Sequence, residues 1–140
     1  MENSLVFLPV VLQVMLTISL LVYLAIAKAR ATKQGLVNEE RRSLHDDAWP
    51  DSVIQINNCI RNQFETPVLF YVVVILLWLT NGINLYVYIF SWAFVLSRII
   101  HALIHVRSNY VPLRRKVFIF GGMNVIALTV LLLFAIITTT

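Results

Sequence analysis

Residues 58–79 read NCIRNQFETPVLFYVVVILLWL, a polar stretch followed directly by a run without a single charge. Charged and amide side chains are costly against lipid, so this segment indicates a helix that enters a membrane with one polar face turned inward. The chain around it has 140 residues, of which 59% are hydrophobic and only 13% are charged. A soluble domain rarely exceeds about half apolar residues, so we predict an integral membrane protein.

The hydrophobic pattern predicts four transmembrane helices, because a span needs about 20 mostly apolar residues and the chain has room for four. We therefore predict an all-α, up-down, four-transmembrane-helix bundle that forms one membrane domain, residues 1–140. The first apolar stretch is expected to be a retained span and not a cleaved signal peptide. Pro67 is expected to kink the second helix, and Gly121 and Gly122 to allow close packing of the fourth. The predicted spans are residues 5–27, 66–80, 85–104 and 117–137, and the predicted cytoplasmic loops are residues 28–57 and 105–116.

The basic residues indicate the orientation of these spans. All eleven Lys and Arg residues fall into two segments, six within residues 28–61 and five within residues 98–116. Cytoplasmic loops carry an excess of Lys and Arg, so both segments are predicted to be cytoplasmic and both termini to lie outside. The positive charge is then explained by topology and anionic headgroups, and we expect no nucleic-acid partner.

Two polar stripes flank the hairpin formed by the second and third spans. Each stripe occupies one helix face, because its members are spaced three or four residues apart. Both stripes lie about equally far from the NGIN turn at residues 81–84, within roughly one helical turn of each other in depth. We therefore expect them to face each other, with Glu65 and Arg98 as an ion pair. The first stripe consists of Asn58, Asn62 and Glu65, and the second of Arg98, His101 and His105.

The segment NCIRNQFETPVLFYVVVILL, with a short turn and RIIHALIH after it, resembles the MAPEG family, the membrane-associated proteins in eicosanoid and glutathione metabolism. Asn62 and Glu65 match the Asn and Glu of the family's Arg-x-x-x-Asn-x-x-Glu pattern, whose arginine is replaced here by Asn58. Arg98 matches the arginine of the third-helix pattern. Histidines occupy the two aromatic positions of that pattern, and the resemblance extends over the whole chain.

This resemblance implies a homotrimer with sites between subunits and membrane lipids around it. It also implies a glutathione-dependent transferase or peroxidase, with glutathione as co-substrate and a hydrophobic electrophile or lipid hydroperoxide as the second substrate. The NQFE form is similar to the bacterial branch, which implies a bacterial inner membrane with periplasmic termini. The expected catalytic residues are Arg98 and His101, since a nearby cation favours a thiolate. The residues expected to bind glutathione are Asn58, Asn62, Glu65, Arg30, His105 and Arg114.

Two other functions remain open from the sequence. One is a non-catalytic membrane protein that binds lipids or a partner, which the replacement of the family arginine by Asn58 favours. The other is a metal site, because histidines four residues apart on a helix can share one ion with a third ligand. Its ligands would be Glu65, His101 and His105.

Overall fold

The computed structural model describes residues 2–139, and within that range every regular element is helical. The prediction of an all-α fold is therefore confirmed. Three short 3-10 helices, Glu2–Val6, Asp46–Ala48 and Asn62–Phe64, accompany the α-helices. The α-helices are α1 (Phe7–Lys33), α2 (Asp51–Arg61), α3 (Thr66–Leu79), α4 (Leu85–Val106) and α5 (Val111–Thr139).

Four helical segments are long and apolar enough to cross a membrane, as the hydrophobic pattern predicted. The second of them contains α2, the 3-10 helix after it and α3, so its helical part begins well before the apolar core of the span. The chain is therefore a multi-pass integral membrane protein with a four-helix architecture. The four segments are Ser4–Lys33, Asp51–Leu79, Leu85–Val106 and Val111–Thr138.

The second segment is interrupted where its polar and apolar parts meet, and this interruption shapes the site. The 3-10 helix Asn62–Phe64 follows α2, and Glu65 then leaves helical geometry altogether, with φ −101° and ψ −103°. Pro67 occupies the first turn of α3, where its missing N–H costs no helical hydrogen bond. The expected kink at Pro67 is thus a break, and it separates Glu65 from the α2 face on which the sequence placed it.

The NGIN turn joins α3 to α4, and its positive φ angle falls on Asn81, at 54°. Asn is one of the few residue types besides Gly that adopts this backbone conformation readily. Asn84 caps α4, since its side-chain oxygen accepts a hydrogen bond from the Val87 amide at 3.2 Å. The turn is therefore short, and Asn84 supplies a hydrogen-bond acceptor for an amide in the first turn of α4. It joins α3 and α4 as an antiparallel pair.

The α4–α5 pair packs closely because one glycine leaves room for it. A Cβ atom at Gly121 would lie 2.7 Å from the Ser97 hydroxyl oxygen, whereas nothing lies within 4 Å of a Cβ atom at Gly122. The expectation of close packing therefore holds for Gly121 and is wrong for Gly122. Beneath this contact, the Phe70 and Phe94 rings stack with their centroids 4.5 Å apart in the main hydrophobic core.

The two basic segments lie at the same end of the bundle. The Gln55 side chain, near the start of α2, donates a hydrogen bond to the Arg107 carbonyl at 3.3 Å and another to the carbonyl of His105. The loop that precedes α2 and the loop that follows α4 are consequently neighbours. This arrangement agrees with the clustering of positive charge on one side that the sequence indicated.

Candidate functional site

Arg98 is the centre of the polar site, and it is held by a main-chain atom. Its side chain is only 1% exposed, and its Nη2 atom donates a hydrogen bond to the carbonyl oxygen of Asn62 at 2.9 Å. In an unbroken α-helix that oxygen would accept from the amide four residues later, so the interruption after α2 makes it available to α4. The guanidinium carbon also lies 5.5 Å from the centre of the Phe118 ring, a distance that favours a cation–π interaction.

The expected ion pair between Glu65 and Arg98 is not formed. Glu65 is exposed at the helix break, and none of the carboxylates in residues 2–139 lies within 4.0 Å of the Arg98 guanidinium. The prediction failed because it measured depth along a continuous α-helix, whereas the chain leaves α-helical geometry between Asn62 and Thr66.

Two of the three Arg98 nitrogens have no hydrogen-bond partner among residues 2–139. Nε and Nη1 are both buried and unpaired, although the third nitrogen is bound to Asn62. A buried donor without a partner costs about 1–3 kcal/mol, and more when the group is charged. Such an arrangement is expected where a ligand supplies the missing acceptors, so these atoms mark a binding site more strongly than burial alone does.

The two histidines of α4 lie about one and two helical turns beyond Arg98 and are also buried, at 2% and 4% exposure for His101 and His105. Their ring centroids are 5.6 Å apart. His105 Nε2 lies 3.1 Å from Nη1 of Arg114, whose guanidinium can only donate, so this ring nitrogen acts as the acceptor. Arg114 also donates to the Asn109 side chain. The Nδ1 atoms of both histidines are buried and, like the Arg98 donors, have no partner in the part of the chain that the structure describes.

A cavity of about 220 Å³ opens in front of these residues. Part of its wall comes from one face of α5, where Val111 lies three and four residues before Arg114 and Arg115, and Phe118 lies four and three residues after them. The sequence analysis missed Arg115 and Phe118, although the four-residue spacing of Phe118 from Arg114 would have placed those two on one helix face. Arg98 lies behind the wall, in contact with two of its members. The wall consists of Asn62, His101, Val111, Arg114, Arg115 and Phe118.

Comparison with protein-family models gives a match over residues 2–136, which is nearly the whole chain, to the model described as the MAPEG family. The chain belongs to the MAPEG family. Neither the search of curated proteins nor the search of solved structures found a match. The predicted family is therefore confirmed, and with it the four-helix membrane fold that the residue patterns had indicated.

The remaining expected site residues of this MAPEG protein lie outside the cavity. Asn58 is exposed on α2, and Glu65 is exposed at the break. Arg30 is exposed at the end of α1 and lines a different cavity of about 210 Å³, together with Ala31 and Ser52. Within a single chain, the structure thus brings together Asn62, His101 and Arg114 but not these three.

The three residues named for the metal alternative do not come together in the described part of the chain. No group of three His, Cys, Asp or Glu side chains among the described residues could hold a metal ion. The physical reason is that Glu65 leaves the helix at the break and stays exposed, while His105 already uses Nε2 to accept from Arg114. His101 and His105 alone do not complete a metal coordination sphere.

A second buried polar pair fastens the broken segment of this MAPEG protein to α1. Gln13 and Gln63 are 0% and 1% exposed, and Gln13 Nε2 donates to Gln63 Oε1 at 2.9 Å. Gln63 Nε2 in turn donates to the Cys59 carbonyl at 3.2 Å. The sequence analysis missed this pair, although a glutamine in the middle of an apolar span was its available signal. The pair holds the 3-10 helix that presents the Asn62 carbonyl to Arg98.

Proposed function

We propose that this protein is a glutathione-dependent transferase or peroxidase that acts on hydrophobic electrophiles or lipid hydroperoxides. The observation that carries the proposal is the charge of the cavity wall, which holds two guanidinium groups, Arg114 and Arg115, and no carboxylate. Glutathione brings two carboxylates, and a guanidinium binds a carboxylate through short, charge-assisted hydrogen bonds. Family membership supports the same class of ligand.

The polar atoms behind the wall fit an anionic co-substrate. Arg98 offers two unpaired donors, and it contacts Asn62 and Phe118, which both line the cavity. A thiolate or carboxylate drawn to this layer would supply the acceptors that the chain itself lacks. In this proposal Arg114 and Arg115 hold the carboxylates, and Arg98 favours the thiolate.

The proposed chemistry begins with the glutathione thiol. His101 lines the cavity, and its unpaired Nδ1 is our candidate acceptor for the thiol proton. In conjugation, the sulfur then forms a bond to the electrophilic carbon, and the leaving group departs with its bonding electrons. In peroxide reduction, the sulfur takes the terminal oxygen and the lipid alcohol leaves. A second glutathione then yields the disulfide and water.

The size of the cavity supports a site that is completed by a second copy of the chain. At about 220 Å³ it is smaller than the roughly 300–1,000 Å³ of typical ligand pockets, so it holds only one arm of the tripeptide. We propose a homotrimer in which a neighbouring copy supplies the rest of the site. Asn58 and Glu65 are exposed within the second candidate span, and a protein neighbour would spare them contact with lipid. Arg30 is proposed to reach the site only across such an interface.

The proposed location is a bacterial inner membrane with both termini in the periplasm. The hydrogen bonds of Gln55 to the end of α4 support this orientation, because they place both basic segments at one end of the bundle. Anionic headgroups and the positive-inside rule favour the cytoplasmic side for that end.

Calorimetric titration of the detergent-solubilised protein with glutathione tests the proposal. Arg115→Gln removes a cation from an exposed position on the cavity wall, and Arg98→Lys keeps the charge but not the guanidinium geometry. Loss of one charge-assisted contact costs about 1.5–3 kcal/mol, so each variant should raise Kd roughly 10- to 100-fold. Arg42→Gln is the matched control, since Arg42 pairs with Glu39 in an exposed loop.

Saturable binding that is weakened in the two site variants but not in the control would support the glutathione site. Turnover of a fluorogenic electrophile and of a lipid hydroperoxide would then separate the two reactions. If the folded wild-type protein bound no glutathione at millimolar concentration, the transferase and peroxidase proposal would fail. The cavity would then belong to a non-catalytic protein that binds lipids or a partner.

A further inference from the structure

A second depression lies between α4 and α5, on the other side of α5 from the site cavity. Its volume is about 440 Å³, twice that of the site cavity, and its lining is almost entirely apolar. The one hydroxyl in the lining, on Ser97, is already used as a donor to the Phe94 carbonyl at 2.6 Å. We call this depression the α4–α5 groove, and it is lined by Ala93, Leu96, Ser97, Ile100, Lys116, Val117 and Phe120.

The groove runs along α4, with a single charge at one end. From Ala93 to Ile100 it follows α4 for seven residues, or about 10 Å, towards the basic end of the bundle. Lys116, in the second turn of α5, is the only charged residue in its lining. A lysine at this depth extends its ammonium group towards the headgroups while its methylene stem covers apolar surface.

The charge of Lys116 is not compensated within the chain. Residues 66–140 contain five basic residues and no acidic one, since Glu65 is the last carboxylate of the sequence. The ion pairs in the described residues all use carboxylates between Glu39 and Asp47, in the first loop. Lys116 is exposed and has no carboxylate within 4.0 Å in the described part of the chain. The ammonium group of Lys116 is therefore free to pair with an anion from another molecule.

We propose that the α4–α5 groove is a binding site for one anionic glycerophospholipid. An acyl chain lies along the apolar lining from Ile100 to Ala93, and the phosphate group pairs with Lys116. The start of α5 thus presents two faces with different ligands: Arg114 and Arg115 line the polar cavity, and Lys116 lines the lipid groove. The inference does not rest on glutathione binding, and either proposal can fail without the other.

Native mass spectrometry of the protein released from micelles tests this site. The micelles contain equal amounts of phosphatidylglycerol and phosphatidylcholine with identical acyl chains, and no glutathione is present. The wild-type protein should retain one phosphatidylglycerol per chain in preference to phosphatidylcholine. Lys116→Gln should reduce that preference about fivefold, the value expected for one lysine at an anionic surface. Lys33→Gln is the matched control, because Lys33 is an exposed lysine at the end of α1 and does not line the groove.

Ala93→Leu provides an independent variant that leaves the charge unchanged. It fills the deep end of the groove, so it should reduce retention of both lipids without altering the preference between them. The proposal is overturned if the wild-type protein shows no preference, or if Lys33→Gln lowers the preference as much as Lys116→Gln does. It is also overturned if Ala93→Leu changes the oligomeric mass and not the lipid content, since a second copy of the chain would then occupy the groove.

Discussion

The close contact between α4 and α5 at Gly121 allows a prediction whose size follows from the geometry. A Cβ atom at Gly121 would lie 2.7 Å from the Ser97 hydroxyl oxygen, while Ser97 Cβ and Phe94 Cδ2 would both be at an ordinary 3.8 Å. Only the hydroxyl must move, and by turning away it would lose its bond to the Phe94 carbonyl. Overpacking of this kind costs about 1–3 kcal/mol.

Gly122 is the matched control for this contact. In both Gly121→Ala and Gly122→Ala, the better helix propensity of alanine adds roughly 0.5–1 kcal/mol to the free energy of unfolding. Nothing lies within 4 Å of a Cβ atom at Gly122, so that variant should be as stable as the wild type or more so. The difference in free energy of unfolding between the two variants should therefore be about 1–3 kcal/mol, measured by unfolding in mixed micelles with increasing denaturing detergent.

A double-mutant cycle isolates the responsible atom. Ser97→Ala removes the hydroxyl oxygen, so Gly121→Ala in that background meets only atoms at 3.8 Å and should no longer destabilise the protein. The coupling free energy should be favourable and about 1–2 kcal/mol. Equal effects of Gly121→Ala and Gly122→Ala, or an undiminished loss in the Ser97→Ala background, would refute the proposed contact.

Two further predictions concern the polar contacts on either side of the helix break. Gln13→Leu leaves the buried Gln63 oxygen without its donor, so it should lower the free energy of unfolding by about 0.6–1.7 kcal/mol in the same detergent assay. An unchanged value would show that the pair does not secure the 3-10 helix. Arg61→Ala breaks an ion pair with Asp46 whose side chains are 61% and 55% exposed, so its cost should stay below about 1 kcal/mol. A loss above about 2 kcal/mol would contradict that expectation.

The features that were predictable from the sequence are local or repetitive. Four apolar segments and one short polar turn sufficed to predict the four-helix architecture, because a lipid environment forces backbone groups to pair within each segment. Arg98, His101 and His105 could be assigned to one helix face from their spacing, and all three are buried in the structure. Helical periodicity is a property of the immediate sequence, so it holds wherever the helix is continuous.

The features that were not predictable depend on where the helix is interrupted, after α2. Counting residues from the NGIN turn set Glu65 opposite Arg98, but the count assumes a constant rise per residue, which the 3-10 helix and the non-helical residue Glu65 do not follow. The actual partner of Arg98 is the Asn62 carbonyl, an atom that every residue type carries. No composition or spacing rule can point to such an acceptor, because it becomes available only through the path of the backbone.

The hydrogen bond from Arg98 to the Asn62 carbonyl has a consequence for how this protein can change over evolutionary time. Any amino acid at position 62 that preserves the break supplies the same acceptor, so the buried arginine places little selection on the side chain there. Asn62 also lines the cavity, so a substitution there changes the ligand site without removing the acceptor for Arg98. A substitution at position 62 can therefore change which ligand the cavity accepts, while the hydrogen bond that holds Arg98 is kept.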